Sequence, residues 1–484
     1  MKKNTFFLTS AIPYVNARPH VGHAQEMIYA DVIRRHQLLL GKKVLYLCGA
    51  DENALKILQA AEQAHLAPGK FTDIHNREFL DLAKKLNIHI DVWQRATDTE
   101  KHYPASQKLW QLCMRRGDIY KKSYTGLYCI GCEDFYTPDE LDQNGECLEH
   151  PGRKLETVAE ENYFFRLSKY QTFLEDLITN DRLKIFPDFR KNEAMGFIRK
   201  GLVDFSISRN RSRTRGWGVP VPNDPDQVMY VWFDALNIYQ SGIGFGWDET
   251  QYLKWWPQDV MVIGKGIIRF HAIYWPAILK SAGLALPKNL FIHGYLTANG
   301  QKMSKTLGNV IDPADLIRKY GTDPLRYYVL KEIPSFSDGD FSDRRFTEVY
   351  NADLANGLGN LVSRVAQMAE QINITVTTQS DSYAFAACAK TQAQFLNAIE
   401  SFRFHDAVSF IWDLIKQSDK YINDQQPWKL TGAEKNTVIS KLISNIQQIA
   451  VLLDPFLPST AEKIMLQFTS TPIRADKPLF PRNV

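Results

Sequence analysis

The chain has no hydrophobic run long enough to cross a membrane, because none of its apolar stretches approaches about 18 uninterrupted residues. It also lacks a strong charge of either sign, since 58 Lys and Arg against 54 Asp and Glu leave a formal net charge of +4. A protein that coats nucleic acid with a uniformly basic surface is therefore excluded, and any RNA contact must come from local patches. The sequence contains no internal repeat and no low-complexity segment.

Cysteine is scarce, and the six cysteines are too unevenly spaced for the disulfide framework of a small secreted domain. A secretory signal is not expected either, because the apolar segment Phe6–Leu8 behind Lys2 and Lys3 is short and has no cleavage site. We therefore expect a cytoplasmic protein. Its 484 residues, 44% hydrophobic and 23% charged, have the composition of a globular chain with about two to four domains.

The sequence contains a His-x-Gly-His motif, His20 to His23, behind a strand-like segment at residues 4–10 and a proline-containing loop. From His20 to about Leu40 the apolar spacing predicts a helix. Side chains three apart share a helix face, so both imidazoles can reach one ligand over the helix N-terminus. Backbone amides and the helix dipole favour phosphate there. Two surface histidines at the start of a helix are the plainer alternative.

A second motif, Lys302-Met-Ser-Lys305-Thr306, follows another apolar strand-like segment much later in the chain. A Lys-x-x-Lys pair is weak by itself, because lysines usually only solvate a surface. Together with the histidine motif it gains weight. Imidazoles and ammonium groups can jointly hold a nucleoside triphosphate and stabilise the charge that develops when its α-phosphate is attacked.

Alternating strand and helix patterns predict an α/β fold with a doubly wound parallel, Rossmann-like nucleotide-binding domain. Later strands are expected at residues 229–232, 260–263 and 290–293. After residue 350 the strand pattern ends and apolar residues recur at helical spacing, which predicts an all-α helical bundle. Arg209, Arg211, Arg213 and Arg215 alternate, so in an extended segment they would share one face; we expect a solvated basic edge, with an RNA contact as the alternative.

The predicted domain organisation places an insertion inside the nucleotide-binding domain, because cysteines and aromatic clusters interrupt the strand and helix pattern. The expected segments are the first half of the nucleotide-binding domain (1–120), an insertion with the cysteine cluster (121–222), the second half of the nucleotide-binding domain (223–300), the segment with the lysine motif (301–350) and the helical bundle (351–484).

The insertion contains a metal-ligand pattern, Cys129-x2-Cys132-x14-Cys147-x2-His150. It supplies three thiols and one imidazole in two short knuckles, a donor set that suits a closed, structural Zn²⁺ site. We therefore predict one structural zinc ion per chain. Two reduced cysteines beside a stray third are the alternative.

Taken together, these motifs resemble those of the methionyl-tRNA synthetases, a family of class I aminoacyl-tRNA synthetases, over essentially the whole chain. Residues 10–16 (Ser-Ala-Ile-Pro-Tyr-Val-Asn) and His20-Val-Gly-His23 resemble the N-terminal signature, and Lys302–Thr306 the second signature. The cysteine knuckle resembles that of the single-zinc form. Three places depart from the usual family pattern: Thr306 for serine, Asn53-Ala54 for His-Gly, and Gly266 for aspartate.

The resemblance implies ATP-dependent attachment of L-methionine to tRNA(Met) through methionyl-adenylate, with release of pyrophosphate and AMP. Mg²⁺ would accompany ATP. The site residues that it implies are catalytic His20, His23, Lys302 and Lys305; ATP-binding His20, Gly22, His23, Gly264, Lys302, Ser304 and Lys305; methionine-binding Ala11, Ile12, Tyr14, Asp51, Trp232, Ala235, Leu236, Tyr239, Ile267 and His271; zinc-binding Cys129, Cys132, Cys147 and His150; and anticodon-binding Asn360, Arg364 and Trp428.

The residue types implied for the methionine pocket agree with the chemistry of the substrate. A thioether is apolar and polarizable, so the aromatic edges of Tyr14, Trp232 and Tyr239 suit it. The Asp51 carboxylate can hold the substrate ammonium group. Taken singly, Trp232 and Tyr239 would more often be plain core residues, and their place in the switch region of the sheet is what favours a role in the pocket.

Three other readings stay open at this point. The first is a class I synthetase for another amino acid, such as cysteine or leucine. The second is a non-catalytic tRNA-binding relative, although both signatures are intact. The third is a smaller nucleotidyltransferase, which would leave the helical bundle unexplained. Because no further module follows the bundle before Val484, we expect a monomer.

Overall fold

The computed structural model describes residues 4–482, apart from 130–133, 137, 139–140, 149–151, 153, 299, 304–307 and 373–388. The chain forms two compact units, each assembled from separated stretches. The first comprises Met1–Arg18, Leu45–Asp81 and Ile90–Ile292, and the second comprises Pro19–Val44, Leu82–His89 and His293–Val484. The division into five consecutive segments stays a prediction.

The first unit is built on a six-stranded sheet. Its strands, in spatial order, are Val92–Arg95, Lys43–Ala50, Thr5–Ser10, Val260–Gly264, Asn289–His293 and Lys184–Phe186. The pairings of the first two strands, of the central two and of the last two are parallel. Phe7, Leu8 and Met261 are completely buried, as expected for strands covered on both faces. The predicted α/β fold with a parallel sheet is confirmed.

The strands predicted at residues 260–263 and 290–293 are present, but the one predicted at 229–232 is wrong for every residue after Met229. The strand Asp224–Met229 ends there, and Val231–Ala235 is a short helix. A short buried apolar run does not distinguish a strand from a helix by its periodicity. Trp232 therefore lies in a helical turn.

The insertion is antiparallel. One sheet has the strand order Asp134–Tyr136, Ile119–Cys129, Glu156–Phe165 and Phe205–Ser206, and a smaller one has the order Pro220–Val221, Asp224–Met229 and Ser208–Asn210. The solvated basic edge expected here is only partly present. Arg211 and Arg215 are exposed, but Arg209 lies in the strand Ser208–Asn210 and is only 6% exposed, and the chain turns after that strand. Arg213 forms ion pairs with Glu156 and Glu160.

Helices surround these sheets and carry part of the site. They are Leu55–Gln63, Pro68–Lys85, His102–Arg115, Gln171–Thr179, Asp188–Arg199, Val231–Ala235, Ile238–Ser241, Glu249–Trp255 and Trp275–Ala282, with 3-10 turns at Leu167–Tyr170 and Lys265–Ile267 and a π-helical turn at Phe270–Tyr274.

The second unit is mainly helical. Its helices are Val21–Leu39, Pro313–Tyr320, Thr322–Lys331, Asp343–Val349, Asn360–Glu370, Ala389–Glu400, Phe404–Gln425, Gly432–Leu453 and Pro458–Thr469, with a π-helical segment at Tyr350–Gly359 and a 3-10 turn at Pro427–Lys429. A small sheet joins Gln301–Lys302, Leu296–Ala298 and Gly339–Phe341. The described residues after Phe341 form no strand, which agrees with the predicted bundle.

A buried ion pair fixes the first helix of this unit. The guanidinium of Arg326 lies 2.8 Å from the Asp31 carboxylate, and both side chains are fully buried. Arg326 also donates hydrogen bonds to the carbonyl oxygens of Pro455 and Phe456. Since an unpaired buried charge is costly, this cluster holds Val21–Leu39, and the histidines at its start, in one position.

Among the described residues, no helix is both long and apolar enough to span a membrane.

Candidate active site

The two motif histidines cap the helix Val21–Leu39. His20 is the N-cap, and its Nδ1 accepts a hydrogen bond from the Gly22 amide at 3.1 Å. The Nδ1 of His23 accepts one from the His20 amide, also at 3.1 Å. Because both Nδ1 atoms are acceptors, the proton of each neutral ring sits on Nε2. The centroids of the two rings are 3.9 Å apart and their planes are inclined by 31°, so both imidazoles lie together at the helix start.

Burial keeps both imidazoles neutral. It lowers the pKa of His20 to about 4, and burial together with the neighbouring His20 lowers the pKa of His23 well below its usual value. At neutral pH these side chains therefore act as hydrogen-bond donors and not as cations.

The prediction that backbone amides at this helix start bind phosphate needs correction. The Val21 amide donates to the Ile311 carbonyl, the Gly22 amide to the His20 ring, and the His23 amide to the His20 carbonyl. These first-turn donors are occupied, so the imidazoles are the groups that can contact phosphate. Gly22 contributes space, because a Cβ there would lie 2.9 Å from Cε1 of His20.

The structure brings the segment behind the lysine motif to the same helix start. The hydrogen bond from Val21 to Ile311 is 3.1 Å long, and Ile311 follows the motif closely. Lys302 ends the strand Gln301–Lys302, opposite Thr297. Ser304, Lys305 and Thr306 lie outside the described residues, so their predicted contacts stay predictions.

In the first unit, the predicted substrate residues gather where three neighbouring strands end. Ala11 follows Thr5–Ser10, Asp51 follows Lys43–Ala50, and Gly264 closes Val260–Gly264. The Ala11 amide donates to Val262, and Asp51 forms a parallel bridge with Tyr14. Ligands of doubly wound sheets bind outside the carboxyl ends of strands. Ile12 lies between Ala11 and the Tyr14 bridge.

An aromatic cluster faces this strand end. The ring of Trp232 meets Tyr14 edge-on at 6.2 Å and stacks on Phe270 at 3.7 Å. Tyr239 donates from its hydroxyl to Nε2 of His271 at 2.8 Å, while Nδ1 of His271 lies 3.0 Å from the Ile267 carbonyl. Burial lowers the pKa of His271 to about 4, so it is neutral at neutral pH. Ala235 and Leu236 follow Trp232 in the same helical turn.

Sequence reasoning missed Phe270 and Glu52. Phe270 forms one face of the Trp232 stack, and its position beside His271 was the only available signal. Glu52 is completely buried and accepts hydrogen bonds from Arg95 at 2.7 Å and from the Thr97 hydroxyl at 2.6 Å. It therefore fixes the backbone on which Asp51 stands.

The predicted zinc knuckle is only partly described. Cys129 and Cys147 are buried, and their sulfur atoms lie 3.3 Å apart. Two thiolates bound to one zinc ion by bonds of about 2.3 Å lie about 3.8 Å apart, so this pair fits half of such a site. Cys132 and His150 lie outside the described residues. Among the residues that are described, no group of three metal-binding side chains occurs.

The predicted anticodon residues lie in the second unit. Asn360 and Arg364 are on one helix, Asn360–Glu370, and Asn360 is exposed. The Arg364 guanidinium donates to Asp419 and Asn423, each at 3.3 Å. Trp428 is 58% exposed in the turn Pro427–Lys429, just beyond the helix that carries Asn423. An exposed indole on a surface turn can stack with a base.

The fold and these motifs define a class I aminoacyl-tRNA synthetase. Residues 6–366 match the family profile described as tRNA synthetases class I (M), and residues 381–480 match the anticodon-binding domain of tRNA ligases.

Relatives and solved structures identify the particular family. The chain is 42% identical to a methionine–tRNA ligase of Thermotoga maritima, over 95% of this chain and 74% of that one. It is 38% identical to one of Rhizobium meliloti, over 99% and 98%. A structure of Mycobacterium tuberculosis methionyl-tRNA synthetase in complex with methionyl-adenylate superimposes with a TM-score of 0.89 at 35% identity, over 99% of this chain and 100% of that one. The chain belongs to the methionyl-tRNA synthetase family.

Proposed function

We propose that the protein attaches L-methionine to tRNA(Met) in two steps. ATP and methionine first react to methionyl-adenylate and pyrophosphate, and the terminal ribose of the tRNA then takes the methionyl group with release of AMP. The observation that carries this assignment is the convergence of Asp51, Tyr14 and Trp232 at the carboxyl end of the parallel sheet, within a chain of this family.

Methionine binds in the first unit through two groups of different character, its charged amino group and its apolar thioether side chain. The Asp51 carboxylate, 2% exposed, pairs with the substrate ammonium. Trp232, Tyr239 and the neutral His271 surround the thioether, which gains from contact with aromatic edges. A neutral imidazole is essential here, because a cation would have to be desolvated beside an apolar group.

Activation of the methionine carboxylate requires stabilisation of the charge that develops on the triphosphate. It needs no covalent enzyme intermediate. His20 and His23 donate hydrogen bonds from Nε2 to phosphate oxygens, and Lys302, Ser304 and Lys305 bind the leaving pyrophosphate. Gly264, at a strand end, allows the nucleotide to approach the backbone. Mg²⁺, if it enters with ATP, would neutralise part of the phosphate charge.

The experiment that tests the function is amino-acid-dependent ATP–pyrophosphate exchange with the twenty protein amino acids. Methionine is expected to support exchange far better than any other. Exchange that depends on cysteine or leucine would instead assign another class I synthetase, and no exchange with any amino acid would favour a non-catalytic tRNA-binding relative.

The exposed Trp428 is proposed to stack on an anticodon base, with Asn360 and Arg364 bonding to base edges. We expect Trp428→Ala to reduce kcat/KM for tRNA charging by about 5- to 150-fold, since one such stack contributes about 1–3 kcal/mol. Exchange without tRNA should be unchanged. Leu466→Ala is the matched control, because Leu466 is an apolar side chain of the same unit that is 66% exposed. Equal losses in charging and exchange for Trp428→Ala would contradict the assignment.

One structural zinc ion is proposed to bind Cys129, Cys132, Cys147 and His150 and to hold the two knuckles together. Elemental analysis of protein prepared without chelators should find about one zinc per chain. Cys147→Ala should lower that content, whereas Cys113→Ala should not, because Cys113 is buried and its thiol bonds to the Ile278 carbonyl. Freshly prepared protein without zinc would end this proposal.

A further inference from the structure

The segment 231–241 has two buried faces of different character. Trp232, Ala235, Leu236 and Tyr239 recur at helical spacing and form the methionine face. Asp234, Asn237 and Ser241 recur at the same spacing on another face, and all three are completely buried. Buried polar side chains are costly unless they are hydrogen-bonded, so this second face requires partners.

Asp234 is the central acceptor of the hydrogen bonds on this face. Its Oδ1 accepts a hydrogen bond from Nε2 of His102 at 2.5 Å, and its Oδ2 accepts one from the Asn53 amide at 2.6 Å. The other ring nitrogen of His102 lies 2.8 Å from the Ser241 hydroxyl. The Ser106 hydroxyl donates to Asp234 Oδ1 and accepts from the side-chain amide of Asn237, each at 3.3 Å. His102 and Ser106, like Asp234, have no more than 1% of their side chain or residue surface exposed.

The members of this network lie next to the substrate residues in the chain. Asn53 comes two residues after Asp51, Asp234 lies between Trp232 and Ala235, and Ser241 comes two residues after Tyr239. Asn53 also donates to the Ala96 carbonyl at 3.0 Å, so its amide is fixed from two sides. The hydrogen bond from Asn53 to Asp234 thus connects the strand end that carries the Asp51 carboxylate to the helical segment that carries Trp232 and Tyr239, the aromatic wall of the pocket.

We propose that Asn53, Asp234, His102 and Ser241 form a positioning network that sets the distance between Asp51 and the Trp232–Tyr239 wall. Directional hydrogen bonds hold this distance more tightly than apolar packing, which tolerates sliding. The network thereby determines selectivity for methionine over apolar amino acids of similar size, because pocket shape alone separates near-isosteres by small margins. In this proposal its members are positioning residues that act through Asp51 and the aromatic wall. The inference rests on the proposed function.

The test compares Asn53→Ala and Ser241→Ala with Ser281→Ala in methionine-dependent exchange. Asn53→Ala removes the donor to Asp234, and Ser241→Ala removes the partner of His102. Ser281→Ala is the matched control, since Ser281 is 3% exposed and donates to the buried Asp118 carboxylate at 2.7 Å in the same unit. The readouts are KM for methionine, KM for ATP, kcat, the preference for methionine over norleucine, and Tm.

We expect Asn53→Ala to raise the methionine KM about 10-fold or more and to reduce the preference over norleucine by a similar factor, with the ATP KM unchanged. Ser241→Ala should shift both in the same direction by a smaller factor. Asn53→His, which restores an N–H donor, should recover part of the preference. Ser281→Ala should lower Tm without changing either quantity.

Several outcomes would overturn the inference. One is a wild-type preference in both Asn53→Ala and Ser241→Ala, and another is an equal loss of preference in Ser281→Ala. If Asn53→Ala does not fold, Ser241→Ala decides alone, because it removes one hydroxyl. Wild-type protein without methionine-dependent exchange would overturn the proposed function itself, which separates the two failures.

Discussion

Replacing His20 with asparagine is expected to slow methionine-dependent exchange about 100- to 1,000-fold and to leave the methionine KM nearly unchanged. The substitution removes one hydrogen-bond donor to the developing phosphate charge, and such donors contribute about 2.7–4 kcal/mol in the transition state. Asparagine is a strong N-cap residue, so the helix Val21–Leu39 should retain its capped start. Steady-state exchange kinetics at saturating ATP measure the effect.

A second substitution separates catalysis from capping. His20→Ala removes both the donor and the cap, so it should lose as much exchange activity as His20→Asn and additionally lower the free energy of unfolding by about 0.5–2 kcal/mol. Near-normal exchange in His20→Asn would show that the imidazole serves only to cap the helix.

The lowered pKa of His20 should make the free energy of unfolding depend on pH. The folded state holds the pKa near 4, whereas the unfolded chain has the ordinary value of about 6.5. As the pH falls from about 6.5 towards about 4, the unfolded state takes up a proton that the folded state does not, and the free energy of unfolding decreases. His20→Asn removes this contribution, so its unfolding should depend less steeply on pH in that window.

Replacing Asp51 with asparagine is expected to raise the methionine KM about 30- to 150-fold. The neutral amide has nearly the shape of the carboxylate but cannot pair with the substrate ammonium, and loss of one partner of a buried charge pair costs at least about 2–3 kcal/mol. The ATP KM should change little, because no part of ATP is assigned to Asp51. Exchange kinetics with methionine as the varied substrate give the result.

Asp259→Asn is the matched control for Asp51→Asn. Asp259 is also a buried carboxylate of the same sheet, but it precedes the strand Val260–Gly264 and therefore lies at the opposite end of that sheet. It pairs with Lys288 at 2.6 Å and accepts from the Phe7 amide. Its substitution should lower Tm and preserve the methionine KM. A methionine KM that rises equally in both variants would indicate general loosening of the sheet.

Local patterns predicted the elements that carry the site. The apolar segments before Ala11 and Gly264 are strands because side chains buried on both faces must be apolar, and the helix behind His20 follows from spacing that depends only on neighbouring residues. The error at residues 229–232 has the same origin, because a four-residue apolar run has no period of its own. Tertiary packing, which the local sequence does not contain, ended that strand at Met229.

The sequence by itself determined which residue types stand at the ends of strands and helices: two imidazoles around a glycine, a carboxylate behind an apolar strand, and thiols in knuckles. The tertiary structure decided which atoms of these residues are available. It directs the first-turn amides of Val21–Leu39 to protein partners and, through the acceptor role of both Nδ1 atoms, places the protons of the neutral His20 and His23 rings on Nε2. It also joins Asn53, His102 and Asp234, which no sequence spacing connects, because hydrogen bonds between distant residues exist only once the chain has folded.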